Sequence, residues 1–384
     1  MNIGFDAKRA YHNNTGLGHY SRTLITQLSE NFPEHQYYLF NPKPSSRYKL
    51  QAPNIHEIRP GRFPHTFFTS NWRSRAVTKD LKKLGIDLYH GLSHEIPVGI
   101  GKTGIKSVVT IHDLIHERYP NQYKAIDRKI YTLKYRYACQ HADKVIAISQ
   151  QTRRDLIEYY KTPPEKIEVC YQSCSPVFGK EYNEETKKGI VTKYKLPPQF
   201  FLSVGTINER KNLLNICKAL AIQDKDTDIP LIVVGNGSGE YYKKVKQFVS
   251  GNKLEKKIIF LSEMPETKTG KDYLFPEDLS IIYQLATGMI YPSFFEGFGI
   301  PVLEALWSRL PVITSNVSCL PEVGGDAAYY INPASVEELA EGMKKIYHDK
   351  QLTETMKNKG WLQAQHFAPR KCATAVMDLY KNLF

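Results

Sequence analysis

Phe295-Glu296-Gly297-Phe298-Gly299-Ile300-Pro301-Val302-Leu303-Glu304-Ala305 sets two carboxylates on either side of a glycine-rich turn. Ionised carboxylates accept hydrogen bonds from sugar hydroxyls, and Gly297 and Gly299 let the backbone come close to a ligand. Proline suits the first position of a helix because its missing N–H has no partner there, so Pro301 predicts a helix start with Glu304 in its first turn. A helix start at the carboxyl end of a strand offers free N–H groups and a positive dipole end to an anion. Complementing that dipole, worth about 0.3–1 kcal/mol, is the simpler use of Glu304. A glycosidase also uses two carboxylates, roughly 5–10 Å apart across one scissile bond, and nothing in the segment requires that geometry. The pair better suits a polyol carrying a phosphate leaving group.

Ser203-Val204-Gly205-Thr206-Ile207-Asn208-Glu209-Arg210-Lys211-Asn212 follows an apolar run and leads into a helical pattern. Arg210 offers a diphosphate bidentate hydrogen bonds and Lys211 a point charge; an ordinary surface pair is the plain alternative. Gly235-Asn236-Gly237-Ser238-Gly239 is similar to a dinucleotide loop, but its spacing is incomplete, and Glu263 stands beyond the roughly 20 residues at which a ribose-binding acid is expected. Thr15-Gly16-Leu17-Gly18-His19 can bring backbone N–H groups to a phosphate or an acceptor, or form a simple turn. In Thr110-Ile111-His112-Asp113-Leu114 the histidine ends a strand pattern, placed to hydrogen-bond a sugar hydroxyl or to be buried and satisfied.

Positioning these segments needs strands whose carboxyl ends converge. Short apolar runs alternate with amphipathic stretches throughout, the pattern of parallel sheets covered by helices. Strands are predicted at 2–7, 87–91, 107–111 and 144–149, then at 200–205, 231–235, 257–261, 288–291 and 311–314. Helices are predicted at 18–28, 151–160, 212–220, 241–249, 336–347 and 368–384. At 384 residues, against roughly 100–200 per domain, two doubly wound α/β domains are expected. They are placed at 1–180 and 199–367, joined by a polar linker at 181–198 that ends in Pro197-Pro198.

The composition, 41% hydrophobic and 24% charged, excludes a disordered or fibrous chain. No apolar run approaches the roughly 18–20 residues of a membrane span, and the amino terminus has no basic-then-apolar leader, so a cytosolic protein is expected. The six cysteines lack zinc-site spacing and are read as reduced thiols. Residues 1–180 hold 27 Lys and Arg against 15 Asp and Glu, or +12, whereas residues 181–384 hold 25 against 24, or +1. An excess confined to one half attracts phosphorylated substrates, anionic lipid or nucleic acid, or simply keeps the surface solvated.

Taken in order along nearly the whole chain, six segments resemble the retaining glycosyltransferases of family 4. They are Gly16-Leu17-Gly18, His112-Asp113-Leu114, Gly205 through Asn212, Gly235, Glu296 through Ala305, and Pro321-Glu322-Val323-Gly324-Gly325-Asp326-Ala327-Ala328. The resemblance implies the GT-B fold, an α/β architecture of two facing Rossmann-like domains with parallel sheets and a cleft between them. The first domain would bind the acceptor, the second the nucleotide-sugar donor, and a final helix, 368–384, would pack back on the first. Arg210 and Lys211 would hold the donor diphosphate and stabilise it as it leaves. Glu296 would bind hydroxyls of the donor sugar and Glu304 the ribose, with the backbone of Gly297, Phe298, Gly299 and Ile300 holding sugar and phosphates. His112 would contact the sugar near the reacting carbon, and Gly16, Leu17 and Gly18 would line the cleft. Gly205, Gly235 and Glu263 would complete the donor pocket. No metal and no cofactor are implied, the two basic side chains standing in for a divalent ion, and the reaction implied is hexosyl transfer with retention.

Departures from the family fall where specificity is set. Ser262 stands where glycine is frequent, 263–277 is longer and more polar than usual, and Tyr171-Gln172-Ser173-Cys174 replaces a frequent Asn-Gly. Ser315-Asn316-Val317-Ser318-Cys319-Leu320-Pro321-Glu322 is similar to bacterial mannosyltransferases of surface polysaccharide synthesis. That favours GDP-mannose over a UDP-sugar of glucose, galactose or N-acetylglucosamine. The basic first half suggests a phosphate-bearing acceptor, such as a glycan on a polyprenyl diphosphate, and peripheral contact with anionic membrane at the cytoplasmic face. Nucleic acid is not expected as a partner, because Glu296 and Glu304 would repel its backbone. Two other classes stay open on the residues: a non-enzymatic binder of anionic membrane or nucleic acid, and an NAD-dependent dehydrogenase.

Overall fold

A computed structural model of the chain describes residues 1–61, 66–223, 229–264 and 275–384. The chain divides into two units, Met1–Cys174 with Phe367–Phe384, and Ser175–His366. The first unit holds β1 (Asn2–Asp6), β2 (Gln36–Phe40), β3 (Ile55–Ile58), β4 (Leu88–Gly91), β5 (Lys106–Ile111), β6 (Lys144–Ala147) and β7 (Ile167–Val169). These pair in parallel in the order β3-β2-β1-β4-β5-β6-β7. The second unit holds β8 (Phe201–Val204), β9 (Leu231–Val234), β10 (Ile258–Phe260), β11 (Gly288–Tyr291), β12 (Val312–Ser315) and β13 (Ala328–Ile331). They too run parallel, in the order β10-β9-β8-β11-β12-β13. Each sheet is a Rossmann-like, doubly wound one whose order reverses once, between β1 and β4 and between β8 and β11. Open α/β sheets bind ligands at such reversals, outside the carboxyl ends of the strands.

Strands of a parallel sheet covered on both faces must be apolar on both, and Leu231–Val234 and Gly288–Tyr291 are buried at every residue. A β-carbon on Gly288 would lie 2.9 Å from Ile346 Cγ2, so the helix Val336–His348 packs almost onto strand backbone there. Four strands, β2, β3, β7 and β13, are not predicted by the apolar runs. Three of them are sheet edges of three or four residues, too short to show a period.

The expected linker at 181–198 is largely the helix Glu184–Tyr194, and it lies in the second unit. Its polarity is that of a capped surface helix. Asn183 Oδ1 accepts from Thr186 N at 2.9 Å, Glu184 and Glu185 occupy the first turn, and only Ile190 and Tyr194 are buried. The helix Pro369–Lys381 packs in the first unit, where Ala373, Val376, Met377 and Tyr380 share a core with Leu24 and Leu28 of the helix Gly16–Asn31. No described helix is long and apolar enough to cross a membrane. All six cysteines are buried and none forms a disulfide.

Candidate active site

The loops after β8 and β11 meet at the reversal of the second sheet. Glu209–Lys211 is one 3-10 turn, closed by Asn208 Oδ1 accepting from Lys211 N at 3.1 Å. Asn212 takes a left-handed backbone with φ of 63° and donates through Nδ2 to the carbonyls of Pro292 and Pro333 at 3.1 and 2.7 Å, tying the loop after β8 to those after β11 and β13. Phe294 N donates to Arg210 O at 2.9 Å, and Arg210 Nη1 donates to Phe295 O at 2.5 Å. These constraints leave Arg210 Nη1 2.8 Å and Lys211 Nζ 2.6 Å from the same atom, Glu296 Oε1, with side chains only 12%, 17% and 9% exposed. Lys211 Nζ also meets the Tyr291 hydroxyl and lies 4.6 Å from the centre of that ring. Ser318, at φ of 59°, accepts from Glu296 N at 3.2 Å and fixes the far side of the loop.

Burial alone would raise the Glu296 carboxyl, but Lys211 and Arg210 together outweigh it and hold it down at about 2. Burial lowers Lys211, opposed by Glu296 and assisted by Arg210. The second glutamate behaves in the opposite way. Burial raises Glu304 to about 7, against the lowering effects of the Tyr283 hydroxyl, 2.8 Å from Oε2, and of Lys211, although part of the side chain stays accessible. The helix begins at Ile300 and spans Ile300–Trp307 with no acid in its first turn. Glu304 is therefore not in the first turn as expected, and the dipole effect, which fades beyond that turn, does not account for it.

The glycines of this site differ in what they do. Gly235 has φ of 157°, and a β-carbon there would lie 1.9 Å from Gly205 O, so the loops after β8 and β9 are in backbone contact. Gly205 N donates to Val234 O at 2.9 Å, and Ser262 Oγ donates to Gly235 O at 3.0 Å. Gly299, at φ of 100°, caps the helix, while Gly297 and Phe298 are buried beside Glu296 and Ile300 is half-buried. Glu263 stands apart from this group. It is exposed, in contact with the Tyr242 hydroxyl and 2.8 Å from Lys246 Nζ. Most of the 263–277 segment, residues 265–274, lies outside the described residues.

In the first unit, Gly16, Leu17 and Gly18 open the helix Gly16–Asn31, and His112 follows β5. They are joined through Tyr20, whose ring meets His112 edge-on with centroids 4.7 Å apart. His112 is buried with Nε2 2.9 Å from Leu92 O. Burial is the main cause that lowers it to about 4, with Arg9 adding to the effect against the Leu92 contact, so it is neutral near pH 7. His94 stacks on Tyr135 with ring centroids 4.2 Å apart and holds a strained φ of 66°. At the reversal between β1 and β4, Arg73 bridges Asp6 at 2.5 Å and Glu95 at 3.1 Å. Asp6, Arg73, Glu95, Tyr283, Tyr291 and Ser318 stand outside the site residues expected from the sequence. Asp6 and Tyr291 end strands and were readable as such, whereas the other four have no local signal. Among the described residues no group of His, Cys, Asp and Glu side chains is arranged to hold a metal ion.

Two family descriptions match the chain, Glycosyltransferase Family 4 over residues 14–173 and Glycosyl transferases group 1 over residues 184–362. O-antigen chain mannosyltransferase B of Escherichia coli is 29% identical over 300 residues, 77% of this chain and 74% of that protein. Serotype-specific mannosyltransferase WbdA of Escherichia coli is 27% identical over 305 residues, 77% of this chain, but the chain spans only 36% of that longer protein. A crystal structure of a glycosyltransferase from Rickettsia africae shares the fold, with a TM-score of 0.75 at 18% identity over 99% of this chain and 98% of that one. The gap between the two matched families contains Ser175, where the second unit begins. With one family in each parallel-sheet unit, the chain belongs to the glycosyltransferases of GT-B fold, a Glycosyltransferase Family 4 unit followed by a Glycosyl transferases group 1 unit.

Proposed function

We propose that this glycosyltransferase is a retaining, metal-independent hexosyltransferase that moves mannose from GDP-mannose to a glycan on a lipid carrier in lipopolysaccharide synthesis. The observation that carries the reading is the convergence of Arg210 and Lys211 on one oxygen of Glu296 at the reversal of the second sheet. A donor diphosphate entering there replaces one carboxylate by a more highly charged group and leaves Glu296 to accept hydroxyls of the sugar. The charge that builds on the departing diphosphate then meets two cations already in place, the kind of preorganised stabilisation that is often the largest single contribution to catalysis. The acceptor hydroxyl attacks from the face the nucleotide leaves, and a donor phosphate oxygen takes its proton, so no protein nucleophile is needed. Glu304 serves the ribose, His112 serves the sugar as a neutral hydrogen-bonding group, and the glycines at 205, 235, 297 and 299 shape the loop backbone that the donor approaches.

Mannose and an O-antigen acceptor are supported by the names of the two Escherichia coli relatives, and the basic first unit supports a phosphate-bearing acceptor and contact with anionic membrane. The protein is incubated with GDP-mannose, UDP-glucose, UDP-galactose and UDP-N-acetylglucosamine, each with and without a chelator, and released nucleotide is measured. Release of GDP in the presence of chelator supports the reading. Release of UDP alone replaces the donor, and release from none by a folded protein rejects transfer. The anomeric configuration of the product, read by NMR, decides retention.

A further inference from the structure

The helix Ala125–His141 of the first unit has two apolar faces. The inner one packs through Ala138, Cys139 and Tyr135. On the outer one, Ile126, Ile130 and Leu133 recur at helical spacing and are 76%, 43% and 60% exposed. At about 100° per residue the three fall within a stripe roughly 60° wide, on the side opposite Tyr135. Lys129 and Arg136 border that stripe on one edge and Lys134, which also pairs with Glu95 at 3.1 Å, on the other. Over residues 124–141 there are five Lys and Arg, 124, 128, 129, 134 and 136, against one acid, Asp127, or +4. Large aliphatic side chains on a soluble surface are normally scattered. A stripe of them edged by cations is the pattern of a helix lying in a lipid interface, with aliphatics below the headgroups and ammonium and guanidinium groups at the phosphates.

We propose that the helix Ala125–His141 lays its Ile126, Ile130 and Leu133 face into the surface of an anionic bilayer. The charge complementarity of Lys129, Lys134 and Arg136 with headgroup phosphates selects that occupant. An acidic protein partner would meet the same charges, but it would have to supply a matching apolar groove, whereas fluid lipid accommodates an aliphatic ridge of any shape. The proposal rests on the membrane contact suggested above by net charge and names the surface that makes it.

The full-length protein is sedimented with vesicles of phosphatidylethanolamine and phosphatidylglycerol, and with vesicles of phosphatidylcholine, at low and raised salt. Binding to the anionic vesicles, weakened by salt, is expected. The double substitution Ile126→Glu with Leu133→Glu should weaken it at least about tenfold by removing two buried aliphatic groups. Lys129→Glu with Arg136→Glu should also weaken it and should remove most of the salt dependence. An unchanged melting temperature shows that the variants fold. If the wild type ignores anionic vesicles, the membrane contact itself fails. If it binds and the Ile126→Glu, Leu133→Glu variant binds equally, the contact stands and this helix is not its surface. A concentration-dependent dimer that this variant abolishes, without vesicle binding, would assign the face to a second copy and overturn the proposal.

Discussion

Arg210 Nη1 lies 2.8 Å from Glu296 Oε1 while also donating to the carbonyl of Phe295, the residue just before that glutamate. The guanidinium is thus anchored to backbone, and the carboxylate is the half of the pair that can turn away. Glu296→Gln keeps the shape and removes the charge, leaving two largely buried cations without their anion. Breaking a buried pair in this way is expected to cost about 3 kcal/mol of stability in the free protein. Saturating GDP should restore part of that loss, because its diphosphate supplies the missing charge, while turnover falls by about 10²- to 10³-fold. Denaturant melts with and without GDP check it. An equal loss in both would mean that no diphosphate reaches these cations.

Glu304 predicts a pH dependence of the opposite sign. Its carboxyl is raised by burial to about 7 in the folded protein from an ordinary value of 4.5, so between those values the folded state holds a proton that the unfolded chain has released. Its contribution to stability is therefore fully present below pH 4.5 and is lost as pH rises through about 7, to the extent of about 3 kcal/mol. Ligand binding should run the other way. The carboxylate accepts ribose hydroxyls more strongly than the neutral acid, so the Kd for GDP should fall about three- to tenfold between pH 6 and pH 8. Glu304→Gln should flatten both curves. Calorimetric titration across that range measures the binding, and a GDP affinity as pH-dependent in the variant as in the wild type would remove Glu304 from the nucleotide site.

What the sequence discloses about this site follows from where the residues lie in it. Arg210, Lys211, Glu296 and the glycines of their loops stand in short runs directly after strands, so composition and position coincide. Their partners do not. Tyr283 reaches Glu304 from 21 residues away and Arg73 reaches Asp6 from 67, contacts made by strand order, which no local pattern encodes. The central strands are legible because burial on both faces makes them continuously apolar, whereas edge strands of three residues such as β7 present no period. At 181–198 the charged surface of a helix was indistinguishable by composition from a linker, although Asn183 and the two glutamates after it are helix-start signals.

Acid should unfold the first unit for a reason separate from its carboxylates. Burial lowers His90 to about 3 and His112 to about 4, and lowers His94 well below its ordinary range, with His112 adding to the effect on the other two. All three are neutral in the fold near pH 7, while in the unfolded chain each takes up a proton near 6.5. Their contribution is fully present above about 6.5 and is lost as pH falls toward the folded values. Each supplies about 1.4 kcal/mol per pH unit at its steepest, so three give about 4 kcal/mol per unit, against one proton working in reverse at Glu304. Urea melts at pH 7, 6 and 5 should show that steep loss. His94→Gln should lower the slope by about one proton, and an unchanged slope would show that His94 is charged in the folded protein.

The two glycines at the start of the helix Gly16–Asn31 separate a structural requirement from a ligand-lining one. A β-carbon on Gly18 would lie 1.9 Å from Asn13 O, which accepts from Arg22 Nη1 at 2.9 Å, and Gly18 N donates to Asn13 Oδ1 at 3.0 Å. Gly18→Ala must push the Asn13 turn off the helix start and is expected to cost more than about 2 kcal/mol. Gly16 is exposed, and a β-carbon there meets nothing within 4 Å. Gly16→Ala should therefore leave stability unchanged or raise it by about 0.4–1 kcal/mol through the unfolded state. Its effect on turnover then isolates the ligand. If Gly16 lines the donor phosphates or the acceptor, the stable Gly16→Ala variant should still show a raised KM for one substrate, because the added methyl occupies space that the ligand needs. A variant as stable as the wild type and with both KM values unchanged would make Gly16 a surface helix residue, leaving Gly18 as the glycine that this loop requires and packing as the reason for it.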